Sequence, residues 1–187
     1  MVIRPVPGGK MRIHKTKLKI AMSALCVVMF WSFPIHGAPP NPAFDWIKAL
    51  AGQWSGTFHW SGARSDEGSM EATYYLTGNG SAVVENLSIG GQPVMTSVYH
   101  LNGSELRMTH FCGAGNQPRL KATTIKPDKK IIRFDFVDIT NLSTDARLSG
   151  HVDGLEMRLV DNNHITLEFS FKGAGKASLE TINLTRS

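Results

Sequence analysis

The stretch LRMTHFCGAGNQPRL, residues 106–120, places an imidazole and a thiol two residues apart, at His110 and Cys112. Both end an alternating apolar run, which predicts a β-strand whose residues two apart share a face. A histidine can act as a general acid or base, and a thiolate as a nucleophile. Apart from His110, no residue near Cys112 in the sequence favours the thiolate, so we interpret Cys112 as a small buried side chain.

A hairpin signal at Asn102-Gly103 predicts how this strand pairs with the one before it. A turn centred on that dipeptide would place Met95 opposite His110 and Tyr99 opposite Leu106. One face of the hairpin then carries most of the aliphatic side chains and no formal charge, so we expect it to be the interior. Its members are Met95, Ser97, Tyr99, Leu101, Leu106, Met108, His110 and Cys112.

Alternation also places a carboxylate, Glu85, on the interior face of the preceding strand, between Val83 and Leu87. Burying an isolated carboxylate costs free energy, so Glu85 must be hydrogen-bonded, ion-paired or protonated. One interpretation is that Glu85, Tyr99 and His110 form a structural hydrogen-bond network or lie at a water-filled mouth of the barrel. The other makes these three side chains the polar groups of an otherwise apolar ligand pocket.

One short helix and ten strands are predicted to position these side chains. Asn41 can cap the helix, Pro42 suits its first position, and Gly52 is expected to end it. After the helix, alternating segments are separated by turn signals about every ten residues. The predicted strands are residues 53–60, 69–77, 81–89, 94–101, 105–112, 119–125, 131–137, 151–160, 164–172 and 177–186.

This pattern predicts an all-β fold, a single closed up-and-down antiparallel barrel of about ten strands with one short N-terminal helix. A β-sandwich is the alternative. The corner GAGNQPR, residues 113–119, would then lie at one rim of the barrel and present Asn116, Gln117 and Arg119 there. It is either a tight turn bonded to its own backbone or a polar gate for the head group of a lipophilic ligand.

Charge is unevenly distributed along the chain. The sequence has 20 Lys and Arg against 15 Asp and Glu, a net charge of +5, but six of the basic residues lie in the first 19 positions. From residue 38 onward the count is 14 basic to 15 acidic residues. A nearly neutral domain offers no basic surface to a polyphosphate, so we expect no nucleic-acid partner.

The basic start is followed by an apolar run, IAMSALCVVMFWSFPI, at residues 20–35. This layout is typical of a secretory signal peptide, and the run is shorter than the ~20 residues that span a bilayer. We predict a signal peptide at residues 1–38, a single domain at residues 39–187, and export to the periplasm or the extracellular space. An uncleaved membrane anchor is the alternative, and either Met1 or Met11 could be the start.

Several motifs resemble known barrel families. Gly52-x-Trp54 on the first strand, with Arg186 on the last, resembles the calycin pattern of lipocalins and fatty-acid-binding proteins. The resemblance implies that Arg186 lies across Trp54 at the closed base of the barrel, as a cation–π contact. LAGQWSGTF resembles the opening of nitrobindin-like barrels, and THFCGAGNQPR is similar to a segment of exported bacterial barrel proteins of undefined activity.

The nitrobindin resemblance implies haem held by a histidine near the C-terminus. The last predicted strand, ASLETINLTRS, contains no histidine, and His151 and His164 lie on earlier strands. We therefore expect no cofactor, with haem as the minor alternative because one histidine suffices to ligate its iron. We expect no metal site either, because the register places His100 and His110 on opposite faces.

Two functions remain open at this point. The first is an exported barrel that binds a small hydrophobic ligand, oriented by Glu85, Tyr99 and His110, with Cys112, Asn116, Gln117 and Arg119 as further contacts. The second is an enzyme that uses His110 as general acid or base, tuned by Glu85. Binding is the interpretation we favour, because a barrel supplies a cavity by its construction and no nucleophile elbow or phosphate loop is present in the sequence.

Overall fold

A computed structural model describes residues 40–187, which form one α-helix and ten β-strands. The predicted signal peptide lies outside the described residues. The helix α1 is Pro42–Lys48, and the strands are β1 Gly52–Gly62, β2 Asp66–Thr77, β3 Ala82–Ile89, β4 Gln92–Asn102, β5 Glu105–Phe111, β6 Gln117–Lys126, β7 Ile131–Thr140, β8 His151–Leu159, β9 His164–Gly173 and β10 Lys176–Arg186. Single turns of 3₁₀ helix occur at Gly78–Gly80, Pro127–Lys129 and Ala146–Leu148. None of the helices within residues 40–187 is long and apolar enough to cross a membrane.

The strands form one closed antiparallel barrel in chain order, and β10 pairs with β1 to complete it. The predicted closed barrel is therefore confirmed, and the sandwich alternative is wrong. Consecutive turns lie at opposite ends of such a barrel. We call one end the mouth, which is formed by the connections at residues 62–66, 89–92, 111–117, 140–151 and 173–176. The other end is the base, which α1 covers.

The predicted start of α1 is confirmed, but its predicted end is wrong. The Asn41 side chain accepts a hydrogen bond from the backbone N–H of Phe44, and Pro42 occupies the first turn. The helix ends at Lys48, well before Gly52. Gly52 instead opens β1 with a φ of 138°, where a Cβ atom would lie 2.9 Å from Nη1 of Arg186. Gly52 is therefore needed for the strand entry and for the arginine beside it.

At the base, Arg186 connects the last strand to the helix and to the first strand. Its Cζ lies 4.3 Å from the ring centroid of Trp54, which is the contact that the calycin resemblance implied. Nη1 donates to the carbonyl of Ala51 at 2.9 Å, and Nη2 donates to that of Ala49 at 2.8 Å. The Trp54 indole N–H donates to the carbonyl of Leu50 at 2.8 Å. One guanidinium thus satisfies carbonyls that follow α1 and stacks on a buried indole.

The predicted pairing of β4 with β5 is wrong by two residues. Ser97 pairs with His110, and Asn102 pairs with Glu105, whereas Met95 pairs with Leu87 on β3. The turn is centred on Gly103-Ser104, because Gly103 takes the positive φ of 60° at the first central position. A shift of two residues leaves every side chain on its face, since faces alternate with period two. The predicted interior face is therefore retained.

Candidate functional site

A pocket of about 420 Å³ opens at the mouth of the barrel. We call it the mouth pocket. Its apolar walls come from five different strands, namely from Phe58, Trp60, Ile89, Val94, Met95, Val152 and Phe171. Its polar side chains are Arg64, Asp66, Cys112 and Glu180. The pocket is thus a largely apolar space with a few charged groups on one side.

Glu180 is the buried acid of the mouth pocket. Alternation with Ile182 and Leu184 turns its side chain inward from β10, and it is only 3% exposed. Its carboxyl accepts no hydrogen bond of ordinary geometry from residues 40–187, although the Trp60 indole lies close enough to lower its pKa. Burial raises the pKa of Glu180 to about 7, and Arg64 offsets part of that rise. The carboxyl therefore changes charge near neutral pH.

Arg64 places a guanidinium over the opening of the mouth pocket. It lies in the exposed turn between β1 and β2, and its Cζ is 3.7 Å from the ring centroid of Trp60. The backbone N–H of Arg64 donates to Oγ of Ser178, and that of Ala63 donates to the carbonyl of Ala177, each at 3.1 Å. These two bonds fix the turn against β10, so the backbone of Arg64 is held beside the pocket.

Cys112 lines the pocket beside the β5–β6 connection and is half-buried. Its backbone N–H donates to the carbonyl of Asn116 at 3.0 Å, and its carbonyl accepts from Gly115 at 2.9 Å. Burial raises the pKa of the thiol, and the nearby Glu180 adds to that rise. A raised pKa disfavours the thiolate, which supports the interpretation of Cys112 as an unreactive wall residue.

A second polar group lies deeper, where Tyr74, Glu85, Ser97 and His110 pair in one row across β2, β3, β4 and β5. We call these residues and Tyr99 the inner network. The Tyr99 hydroxyl donates to Oε2 of Glu85 at 2.8 Å. Oγ of Ser97 lies 3.3 Å from Oε1 of Glu85 and 3.0 Å from Nδ1 of His110. A single serine hydroxyl therefore connects a carboxyl to an imidazole in the barrel interior.

Burial controls the charge of the inner network. It raises the pKa of Glu85, and hydrogen bonds from Tyr99 and Ser97 and the nearby Tyr74 hydroxyl lower it again in part. Burial also lowers the pKa of His110 to about 4, so the imidazole is neutral at pH 7. Within residues 40–187, Nε2 of His110 and the Tyr74 hydroxyl have no hydrogen-bond partner of good geometry.

The inner network lies directly beneath the mouth pocket without forming its walls. On β5, His110 is two residues further into the barrel than Cys112, and on β4 Ser97 is two residues further in than Met95. The predicted inward orientation of Glu85, Tyr99 and His110 is confirmed by their complete burial. Their predicted role in holding a ligand stays a prediction, because none of the three lines the pocket as it stands.

The corner at residues 113–119 is mostly bonded to the protein itself. The buried Asn116 donates from Nδ2 to the carbonyl of Gly150 at 2.7 Å, which joins the β5–β6 and β7–β8 connections. Gln117 donates to the carbonyl of Gly115 at 3.2 Å and accepts from the hydroxyl of Thr140 at 2.9 Å. These contacts favour the interpretation of the corner as a tight turn over its interpretation as a polar gate.

Arg119 lies near the mouth but points away from the barrel interior, contrary to our expectation. Alternation along β6 turns Pro118 and Leu120 inward, so Arg119 points outward. There its guanidinium pairs with the carboxylate of Asp138 on β7, at 2.6 and 2.8 Å. Both side chains are about half exposed.

The three charged residues of the mouth pocket, Arg64, Asp66 and Glu180, and its Trp60 are absent from the predicted site residues. Glu180 could have been predicted, because the alternation that places Glu85 inward on β3 applies equally to Glu180 and Ile182 on β10. Arg64 belongs to the polar stretch SGARSDEGSM, residues 61–70, whose composition predicts a loop at one end of the barrel without saying which end.

The side chains of the mouth pocket do not fit a haem group held by histidine, because no histidine lines it. His151 contacts Phe136, with its Nδ1 2.9 Å from the carbonyl of Ser149. His164 lies at the opposite end of the barrel, where its Nδ1 is 2.9 Å from the carboxylate of Asp161. The axial position that the nitrobindin resemblance implied thus has no counterpart in this pocket.

Comparisons with known proteins find similarity in fold only. No family model and no curated protein matches the chain. Among solved structures, the chain is similar to Rv2717c from M. tuberculosis, with 16% identity, a TM-score of 0.54, and coverage of 80% of this chain and 99% of that one. It is also similar to a protein of unknown function from the DUF3598 family of Nostoc punctiforme, with 16% identity, a TM-score of 0.44, and coverage of 75% and 49% of the two chains.

Proposed function

We propose that this chain is a calycin-like binding barrel that holds a small, largely apolar molecule in the mouth pocket. The observation that carries the proposal is the Glu180 carboxyl, which is buried in an apolar pocket and faces the free space within it. Burying a carboxyl in that position costs free energy, and a ligand that supplies the missing polar contact offsets this cost. The cavity of about 420 Å³ also falls within the usual size range of small-molecule sites.

The inner network supports the pocket from below in this proposal. Glu85, Ser97 and Tyr99 bond to one another across β3 and β4, which fixes two strands that also contribute pocket walls. His110 is fully buried and does not line the mouth pocket, whereas a general acid or base must lie within hydrogen-bond reach of the substrate. The geometry therefore favours binding over the acid–base enzyme.

A neutral fluorescent probe, N-phenyl-1-naphthylamine, tests whether the pocket binds ligands. We expect saturable binding of one probe per chain, with increased emission because the probe leaves water. Ala114 is an exposed residue at the pocket entrance, so Ala114→Trp should weaken the probe at least about tenfold by blocking entry. Ala146→Trp, at an exposed position outside the pocket lining, is the matched control. Binding that is absent, or equal in both variants, would contradict the proposal.

We also propose that residues 1–38 are a signal peptide and that the barrel is released on export. The support is the basic start followed by an apolar run of signal-peptide length. Intact mass of the exported protein should place its first residue between positions 37 and 40. A full-length chain recovered in the membrane fraction would contradict release.

A further inference from the structure

We propose that the mouth pocket selects organic cations, and that Arg64 occupies the cation position while the ligand is absent. This inference rests on the proposed binding function and specifies the ligand class. In the inferred bound state, an ammonium or amidinium group lies over Trp60, between Glu180 and Asp66. The apolar body of the ligand then fills the pocket, and the Arg64 side chain extends into solvent.

The first support is the aromatic corner on which Arg64 lies. Its Cζ is 3.7 Å from the ring centroid of Trp60 and 6.0 Å from that of Phe171. The two rings meet edge to face, with centroids 5.9 Å apart and planes at 87°. A cation within about 6 Å of an aromatic centroid is attracted by the ring, and aromatic cages bind ammonium groups in this way. The chain's own guanidinium therefore marks a cation position.

The second support is the row of charges across β10, β1 and β2. Trp60 pairs with Glu180 on one side and with Asp66 on the other. The indole is thus flanked by a carboxyl on each neighbouring strand, and both carboxyls line the same pocket. Arg64 stacks on the ring and forms no ion pair with either carboxyl. One positive charge therefore faces two acids, which leaves the corner net negative when both are ionised.

The third support is that Arg64 can leave at small cost. It lies in an exposed turn, and the bonds that fix this turn come from the backbone rather than the guanidinium. A long, exposed side chain regains hydration and rotamer freedom when it moves into water. An organic cation gains apolar burial in the pocket that Arg64 does not. An anionic ligand could instead pair with Arg64, but it would lie beside Asp66 and Glu180 and be repelled by them.

Three probes with one alkyl chain test the charge preference: octyltrimethylammonium, octanol and octanoate. At pH 8 we expect the ammonium to bind at least about tenfold more tightly than octanol, and octanoate more weakly than octanol, measured by calorimetry and by quenching of tryptophan fluorescence. Equal affinities would contradict the cation preference and leave the binding function standing. Tighter binding of octanoate would make Arg64 the ligand contact and overturn the inference. Failure of all three probes and of the neutral naphthylamine would contradict both proposals.

The pH dependence of binding supplies a second readout. Arg64, Asp66, Cys112 and Trp60 are the charged, titratable and polar groups that face Glu180. Because the pKa of Glu180 is about 7, lowering the pH from 8 to 6 protonates its carboxyl. This change should weaken the binding of octyltrimethylammonium but not that of octanol. Glu180→Gln has nearly the same shape, and it should reduce the cation preference and remove the pH dependence. A cation preference that is unchanged in Glu180→Gln would overturn the role given to this carboxyl.

Arg64→Ala tests whether the arginine competes with the ligand. Removing the competing cation should strengthen octyltrimethylammonium binding about twofold to fivefold, since that is the worth of an exposed cation–π contact. Arg147→Ala is the matched control, because Arg147 is an exposed arginine with no part in the mouth pocket. Weaker ammonium binding in Arg64→Ala would show that the arginine builds the pocket, and it would contradict the competition.

Discussion

At the residue scale, burial moves the pKa values of His110 and Glu180 in opposite directions. Desolvation penalises the charged form of each group, so it lowers the pKa of the base to about 4 and raises that of the acid to about 7. A difference in pKa between the folded and unfolded chain makes folding stability depend on pH. These two side chains must therefore make the free energy of unfolding change with pH in opposite directions.

For His110, we expect a stability loss in acid that His110→Leu removes. In the unfolded chain, His110 binds a proton below its ordinary pKa of 6.5. In the folded chain, it binds that proton only below about pH 4. Between those pH values the site costs on the order of 3 kcal/mol of unfolding free energy. Urea unfolding at pH 7 and pH 4.5 should show the variant gaining on the wild type as the pH falls. His59→Gln, at an exposed position, is the control. A difference that does not change with pH would mean that His110 takes up its proton in the folded barrel.

For Glu180, the sign is reversed. Its contribution to stability is fully present below pH 4.5 and is lost as the pH rises through its folded pKa of about 7. Glu180→Gln cannot ionise, so it should be more stable relative to the wild type at pH 8 than at pH 5. The same pair of urea titrations measures this, with the exposed Glu71→Gln as control. A wild type that gains on Glu180→Gln between pH 5 and 8 would contradict a desolvated carboxyl.

At the element scale, β10 and α1 are joined at the base through the Arg186 side chain. Arg186→Ala removes the stacking on Trp54 and three hydrogen bonds from a charged donor. We expect a loss of about 2 kcal/mol of unfolding free energy, seen as a lower melting temperature. Probe affinity at the mouth should change little, because the base lies at the other end of the barrel. Arg158→Ala, which removes an exposed ion pair, is the control. An unchanged melting temperature would show that Arg186 is a solvated terminal residue.

Much of the fold was predictable from local patterns within single elements. Alternation on β3 and β5 places Glu85 and His110 inward whatever the exact pairing, because a slip of two residues preserves the faces. The pairing itself was not predictable, since the Asn102-Gly103 signal does not say which residue occupies the first central position of the turn. Alternation also gives no depth along the barrel. It therefore did not separate the inner network from the walls of the mouth pocket.

At the scale of the whole molecule, the barrel is closed by the β1–β10 pairing, and the backbone at Gly56 of β1 leaves no room for a side chain beside β10. A Cβ atom there would lie 1.9 Å from the carbonyl oxygen of Asn183 on β10. Gly56→Ala should therefore push the two strands apart and cost at least about 2 kcal/mol of unfolding free energy. Thr57→Ala, at the neighbouring exposed position, should cost much less. Equal losses of unfolding free energy in the two variants would mean that β1 and β10 can move apart at Gly56 without a measurable cost.

The same closure has a consequence for the time course of folding. Nine of the ten strand pairings join neighbours in the chain, whereas the tenth pairs residues as far apart as Trp54 and Arg186, which are separated by 132 positions. Local hairpins form quickly and distant pairings slowly, so we expect closure to be the last step. Until β10 arrives, β1 and β9 each expose an unpaired edge that can pair with another copy of the chain. The risk of aggregation is therefore concentrated in the interval before the last eleven-residue strand is in place.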